Sequence, residues 1–426
     1  MRKVNIAFIG IGTVGGGSIN IVREHHDDFM RHYGIDLNIK AVTCRTFQKA
    51  VDLGVEDIYV DSADAIINDP EIEIVVELVG GTTAAKKYVL GALRAGKHVV
   101  TANKALMATS GEEIFDAAKQ HGVSISFGGS VGGGIPIIGP LKHSLCANQI
   151  TTIMGIVNGT TNYMLTKMGD EGLDYSEVLL DAQRKGFAEA NPSADVEGED
   201  AAAKIAILAS IAFNCRVQLD DVHAEGITRI SPVDLEYAKE MGYAIKLLAI
   251  AHRSDLGIEV RVHPAMVPMS HQLASVNGVY NAVYLEGDAI GKCMFFGEGA
   301  GAGPTGSAVI GDVLEVAKQL ADGVENFRGC TCTDQLPIVS LSSLNAQYYI
   351  RVPVLDRAGV FAEMAKIFAR EEISIKSVVQ RGGDGRTTDL VVITHEANEK
   401  AVQAAISDMM LTESIVSEPQ LIRLVG

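Results

Sequence analysis

Gly10-Ile11-Gly12-Thr13-Val14-Gly15 follows directly on an apolar run, Val4–Ile9, and opens a stretch with helical spacing. No other segment restricts the fold as much. In such a turn the first glycine permits the tight reversal. The second lets backbone approach a pyrophosphate, and the third lets helix and strand pack closely. The helix N-terminus supplies N–H donors and a partial positive charge. The motif predicts a βαβ unit that binds a dinucleotide. A glycine-rich turn in a purely structural βαβ unit is the plainer alternative. Further strand candidates, Ile39–Thr43, Ile74–Leu78, His98–Thr101 and Ser124–Phe127, alternate with helical stretches. That rhythm belongs to a parallel, doubly wound sheet.

The fingerprint also expects an acid at the tip of the second strand, for a ribose 2′-hydroxyl. Here the tip reads Ala41-Val42-Thr43-Cys44-Arg45, with Lys49 close by. Arg45 suits a 2′-phosphate, which favours NADP(H) while leaving NAD(H) possible. A solvated surface arginine is the alternative.

The chain has 426 residues, enough for two or three domains. We expect a first domain over 1–135 and a central α+β domain over 136–325. The central domain contains helices Tyr175–Lys185, Glu199–Phe213 and Pro232–Ala251 and strands Ile258–Val267 and Ala282–Glu286. Ser307–Ala321 reads as a helix able to pack back on the first domain. A polar connector covers 326–347. From 348 to 426 a new pattern appears: strand Tyr348–Val354, helix Val360–Glu371, strand Ile375–Arg381, turn Gly382–Gly385, strand Asp389–Thr394, helix Glu399–Leu411 and strand Val416–Leu424. That βαββαβ order fits a ferredoxin-like module.

A net charge of −17 argues against nucleic acid or an anionic membrane as the main partner. The six cysteines form no C-x-x-C pair, so reduced, buried thiols are expected. The N-terminal segment lacks the pattern of a signal peptide and no apolar run reaches membrane-spanning length, so a cytoplasmic protein is expected.

One acidic segment stands out. Glu189, Asp195 and Asp200 fall within Gly186–Lys204, and Asp200 and Lys204 are four residues apart on one predicted helix. They share a face. Carboxylates of this kind could hold an ammonium group, and a lysine could meet negative charge developing on a carbonyl oxygen. An acid-rich helix start with a surface ion pair is the bland reading.

Over nearly its full length the chain resembles homoserine dehydrogenases. The resemblance rests on Thr101-Ala102-Asn103-Lys104-Ala105-Leu106, on Ser130-Val131-Gly132-Gly133-Gly134-Ile135-Pro136, on Gly155-Ile156-Val157-Asn158-Gly159-Thr160-Thr161-Asn162, on the Gly186–Lys204 segment and on Gly299-Ala300-Gly301-Ala302-Gly303-Pro304-Thr305. It implies reduction of aspartate 4-semialdehyde to homoserine, on the way to threonine, methionine and isoleucine, by a homodimer or homotetramer. The central domain would carry catalysis and dimerisation. Lys204 would be the proton donor and Lys104 a second active-site lysine near both nicotinamide and substrate. Glu189, Asp195 and Asp200 would bind substrate, with Asn158, Gly159 and Thr160 lining its cleft. Gly10, Ile11, Gly12, Thr13, Val14, Gly15, Thr82, Thr83, Gly186 and Gly303 would contact the cofactor. A monovalent cation, Na+ or K+, would sit on the carbonyls of Val131, Gly133 and Ile135. Family members commonly place a Glu ligand where this chain has Gly128. The rivals are another amino-acid oxidoreductase on the same cofactor fold and a catalytically dead amino-acid sensor.

Asp356-Arg357-Ala358-Gly359-Val360-Phe361 resembles the opening of an ACT domain. It implies an amino-acid effector, threonine by its place as end product, lined by Asp356, Gly359 and Val360. A module that only dimerises is the alternative.

Overall fold

The computed structural model describes residues 1–324, 329–381 and 385–425. The expected turn Gly382–Gly385 and the start of the connector fall largely outside these residues. The described chain forms two compact units.

The first unit comprises Met1–Gly159, Ala202–Val222 and Tyr280–Leu336. Its main sheet has five parallel strands, Arg2–Ile9, Ile35–Thr43, Ile74–Glu77, His98–Thr101 and Ile125–Ser126, in the spatial order second, first, third, fourth, fifth. Strand order reverses beside Arg2–Ile9, and in open α/β sheets ligands gather at the carboxyl ends of the strands at such a point. Val4, Ile6 and Phe8 are fully buried there, because a parallel sheet is covered on both faces. Helix Thr13–Tyr33 covers one face with Ile19 and Val22. Helix Ala302–Ala321 joins the same core through Val309, Ile310 and Val313. Burying each such side chain contributes about 1.5–3 kcal/mol. The two helices meet at Gly17, where a Cβ would lie 2.1 Å from the Ala302 carbonyl oxygen. A second sheet in this unit is antiparallel, with Tyr280–Gly287 between Gly291–Glu298 and Ile150–Ile156.

The second unit comprises Thr160–Ala201, His223–Val279 and Pro337–Gly426. Here one expectation fails. The helix read over Pro232–Ala251 ends at Glu240, and Tyr243–Ser254 is a strand. Gly242 takes φ 81° and breaks the helix. The run Ile245–Ala251 is buried throughout, so it carries no period by which helix and strand could be told apart.

The C-terminal βαββαβ order is present: Asn345–Leu355, Val360–Arg370, Ile375–Arg381, Thr387–Thr394, Glu399–Met409 and Gln420–Leu424. Tyr348, Ile350, Val352 and Val354 alternate onto the face covered by Val360, Met364, Ile367 and Phe368. This sheet does not stand alone. Its edge strand Gln420–Leu424 pairs in parallel with Gly257–Pro268, which in turn pairs with Tyr243–Ser254.

Candidate active site

The glycine turn shows three different reasons for glycine. Gly10 has φ 103°, and a Cβ there would meet the Leu78 carbonyl at 2.7 Å. A Cβ at Gly15 would lie 2.4 Å from the Gly10 carbonyl oxygen. Gly12 has nothing within 4 Å, so open space faces the N-cap of helix Thr13–Tyr33. That helix start has neither a side-chain cap nor an acid in its first turn. Orphan N–H groups beside open space fit a pyrophosphate. A cleft of about 500 Å³ lies here, lined by Gly10, Ile11, Gly12, Arg45 and Lys49, and also by Asp61 and Asp64. Thr13 and Val14 begin the helix, Thr82 and Thr83 begin helix Thr83–Arg94, and Gly303 lies in the first turn of helix Ala302–Ala321, also with open space around it.

Lys104 is the first residue of helix Lys104–Gln120, just past strand His98–Thr101. Its position is fixed by a network that the sequence did not advertise. The Asn103 side chain caps the helix by accepting from Leu106 N–H at 3.0 Å, and its amide donates to the Gly81 carbonyl at 2.7 Å. Glu77, fully buried at a strand end, accepts from the Thr101 hydroxyl at 2.7 Å and from Val79 N–H at 2.7 Å. Burial pushes its carboxyl above the usual range, against the pull of these bonds.

Lys204 lies on helix Glu199–Ala212 and is only 8% exposed. Its Nζ donates to the Val157 carbonyl at 2.6 Å. Val157 immediately precedes Asn158 and Gly159, so a buried amine is tied to the entry of helix Gly159–Glu171. Asn158 is buried too.

Thr160, Gly186, Glu189, Asp195 and Asp200 belong to the second unit. The Thr160 hydroxyl donates to the Phe187 carbonyl at 2.6 Å, and Gly186 takes φ 75° after helix Tyr175–Arg184. Glu189 is exposed, Asp195 half-buried in the short helix Ser193–Val196, and Asp200 buried one turn before Lys204. Sequence reasoning missed Lys246. Its buried Nζ donates to the Val276 carbonyl at 2.6 Å, to Asn277 Oδ1 at 2.8 Å and to Asn162 Oδ1 at 3.3 Å. Burial pulls its amine down to about 8.

At the expected cation ring, Gly132 and Gly133 take φ 78° and 53°. The Ile135 carbonyl already accepts from Ile137 N–H at 2.8 Å. Gly128 N–H donates to Asp312 Oδ2 at 2.6 Å, and a Cβ at 128 would lie 2.9 Å from Oδ1. Thus Asp312 occupies the space from which a Glu side chain at 128 would start. Burial pushes its carboxyl up to about 6. Among the described residues no cluster of three His, Cys, Asp or Glu could hold a metal.

Comparison with known proteins identifies the domains. Residues 10–128 match the homoserine dehydrogenase NAD-binding domain, 136–314 the homoserine dehydrogenase domain and 348–409 the ACT domain. A homoserine dehydrogenase of Synechocystis sp. is 42% identical, over 99% of this chain and all of that one. The crystal structure of a homoserine dehydrogenase from Thiobacillus denitrificans superposes with TM-score 0.95 at 39% identity, covering 100% of this chain and 99% of that one. A hyperthermophilic archaeal homoserine dehydrogenase mutant in complex with NADPH gives TM-score 0.65 at 27% identity, over 77% of this chain and all of that one. The chain belongs to the homoserine dehydrogenase family, with an ACT domain behind its catalytic part.

Proposed function

We propose that this oxidoreductase interconverts L-homoserine and L-aspartate 4-semialdehyde with Lys204 as the group that carries the proton. The observation behind this is the buried Lys204 amine held 2.6 Å from the Val157 carbonyl, two residues before helix Gly159–Glu171. The nicotinamide dinucleotide, when bound, supplies or accepts the hydride. In reduction, negative charge grows on the aldehyde oxygen, and the Lys204 ammonium neutralises it by giving up a proton. In oxidation the neutral amine takes the hydroxyl proton. Lys104, fixed by Asn103 and Glu77 at a strand's carboxyl end, adds a second positive charge. Glu189, Asp195 and Asp200 supply negative charge for the substrate's ammonium group, and Asn158, Gly159 and Thr160, at the start of helix Gly159–Glu171, line the substrate's cleft. Lys204→Met should lower kcat by roughly 10²-fold or more while NADPH still binds. Turnover at the wild-type rate would sink the assignment.

The same reading takes NADP(H) in preference to NAD(H), because Arg45 and Lys49 line the cleft at the second strand's tip. It takes threonine as effector at Asp356, Gly359 and Val360. Gly128 brings no carboxylate to the carbonyls of Val131, Gly133 and Ile135, and neutral oxygens alone hold a hard cation weakly. Na+ or K+ should therefore activate weakly or not at all at constant ionic strength. Saturable activation at low millimolar salt, absent with a bulky organic cation, would point to Asp312 as the replacement ligand.

A further inference from the structure

A cavity of about 180 Å³ lies within the first unit, between helix Lys104–Gln120 and residues Ile207–Ile211. Met107, Phe115, Phe127 and Val217 give it apolar walls. Its polar lining includes Lys142, Arg216, Glu112, Cys330 and Cys332, none of which the dehydrogenase chemistry uses. Lys142 Nζ lies 4.8 Å from the Phe127 ring centroid and 5.6 Å from that of Phe115.

The donors converge on one sulfur. Cys330 Sγ accepts from Arg216 Nη2 at 3.5 Å and from Cys332 N–H at 3.4 Å. The Cys332 thiol is within hydrogen-bonding reach of the same sulfur and of the Ser210 carbonyl, the latter at 3.4 Å. Such surroundings favour thiolate over thiol. The Cys332 hydrogen bond pulls the Cys330 thiol below its usual range against the effect of burial, and Arg216 and Lys142 add to that pull. Cys332 is pushed the other way by Cys330 and by burial. One member of the pair is thus set to attack while the other keeps its proton.

We propose that Cys330 is a nucleophilic modification site for low-molecular-weight anionic disulfides, with Cys332 as the resolving thiol. The Cys330 thiolate attacks one sulfur of the incoming disulfide. A Cys330–sulfur bond forms, the external S–S bond breaks, and one thiolate leaves and takes a proton from water. Cys332 then loses its proton to solvent and attacks Cys330, expelling the second thiolate. The protein pair gives up two electrons and the one proton that Cys332 carried, and the external disulfide becomes two thiols, the second proton coming from water. Arg216 and Lys142 supply the positive field for an anionic partner. The product ring spans one intervening residue, Thr331, and a strained disulfide is readily reduced, so the modification is reversible. Its formation withdraws the Cys332 donor from Ser210, six residues beyond Lys204 on the same helix.

The test uses the intact enzyme, limiting iodoacetamide at neutral pH and peptide mass mapping. The exposed Cys146 is the internal reference. Cys330 should be alkylated at least about tenfold faster than Cys146, and Arg216→Met should remove most of that advantage. Glutathione disulfide should give a Cys330–Cys332 link in the wild type and a trapped glutathione adduct on Cys330 in Cys332→Ser. Should Arg216→Met fail to fold, the wild type still decides. Glutathione disulfide should outpace the neutral hydroxyethyl disulfide at Cys330 relative to Cys146. Cys330 labelling no faster than Cys146, or no adduct on Cys330 in Cys332→Ser, overturns the proposal.

Discussion

Of the helices that start behind a glycine with no side-chain cap, two head the candidate cofactor and effector sites, Thr13–Tyr33 behind Gly12 and Val360–Arg370 behind Gly359. Locally they look alike, but their charge differs. The first has no acid in its first turn, so its N–H groups and dipole meet nothing negative from the helix itself. The second carries Glu363 in its first turn. That carboxylate accepts from the Ser414 hydroxyl at 2.5 Å, and the same hydroxyl accepts from Arg357 at 3.0 Å. An anion at the first helix meets no opposing charge from the helix's own first turn, while an anion at the second must share the field with a resident carboxylate. The comparison predicts a strong anchor at one end of the chain and a weak, displaceable one at the other.

The largest expected effect breaks the support of the second helix rather than its charge. The sheet beneath it is moored by Arg423, which is 2% exposed. Its guanidinium donates to both Glu225 oxygens at 2.8 and 2.9 Å and to both Glu399 oxygens at 2.8 and 2.6 Å. Burial opposes ionisation of Glu225, yet bonds from His223 and Arg423 outweigh it and hold its carboxyl well below the usual range. Removing Arg423 would leave the buried Glu399 with a Tyr348 hydroxyl at 2.9 Å and the Gln403 amide at 2.9 Å. Arg423→Met should cost about 3–5 kcal/mol, read as a fall in Tm of the full chain. Arg229→Ala removes an exposed pair with Glu418 and should cost about 0–1 kcal/mol. Equal losses from the two variants would show that the buried pair moors nothing.

The next effect sharpens the contrast at the first helix. If Arg45 reads the 2′-phosphate, Arg45→Asp turns attraction into repulsion. It should then weaken NADP+ relative to NAD+ by at least about tenfold in kcat/KM. Asp61 and Asp64 line the same cleft, so the wild-type preference already reflects opposing charges. An unchanged ratio means the 2′-phosphate is read elsewhere.

Legibility from sequence divides along the same line. At the first helix the glycines sit in a strand–turn–helix motif that is read locally. Only Gly15 answers to a neighbour in the turn, while Gly10 answers to Leu78 across the sheet and Gly12 to open space. The i,i+4 spacing of Asp200 and Lys204 put them on one helix face, while their roles came from the family resemblance alone. The burial of Glu77, Lys246 and Asp312 was not legible, since nothing nearby in the chain marks a carboxylate or amine as buried. Their partners lie in segments brought together by the fold, 184 residues apart for Gly128 and Asp312. The strand Tyr243–Ser254 was misread for a related reason: burial on both faces erases the period. The pairing of Gln420–Leu424 with Gly257–Pro268 was invisible too, because a βαββαβ pattern announces its own sheet but not a neighbour at its edge.

The smallest effect tests the second helix directly. Threonine bound near Asp356, Gly359 and Val360 would bring its carboxylate to a helix start that Glu363 already partly neutralises. A charge at a helix N-terminus is worth about 0.3–1 kcal/mol, so removing Glu363's charge should lower the half-inhibitory threonine concentration by about two- to fivefold. Glu363→Gln does this while keeping an oxygen for the Ser414 hydroxyl. An effector acts only through unequal affinity for two states of the enzyme, so the shift must appear in inhibition as well as in binding. A chain cut near Leu344 is a poor control, since it would strip the paired edge from Gly257–Pro268 and remove Arg423 from Glu225. The full-length variant avoids that damage. If intact enzyme ignores millimolar threonine and no amino acid shifts its Tm, the module is structural. If threonine inhibits but Glu363→Gln leaves the midpoint unmoved, the ligand's carboxylate lies away from this helix.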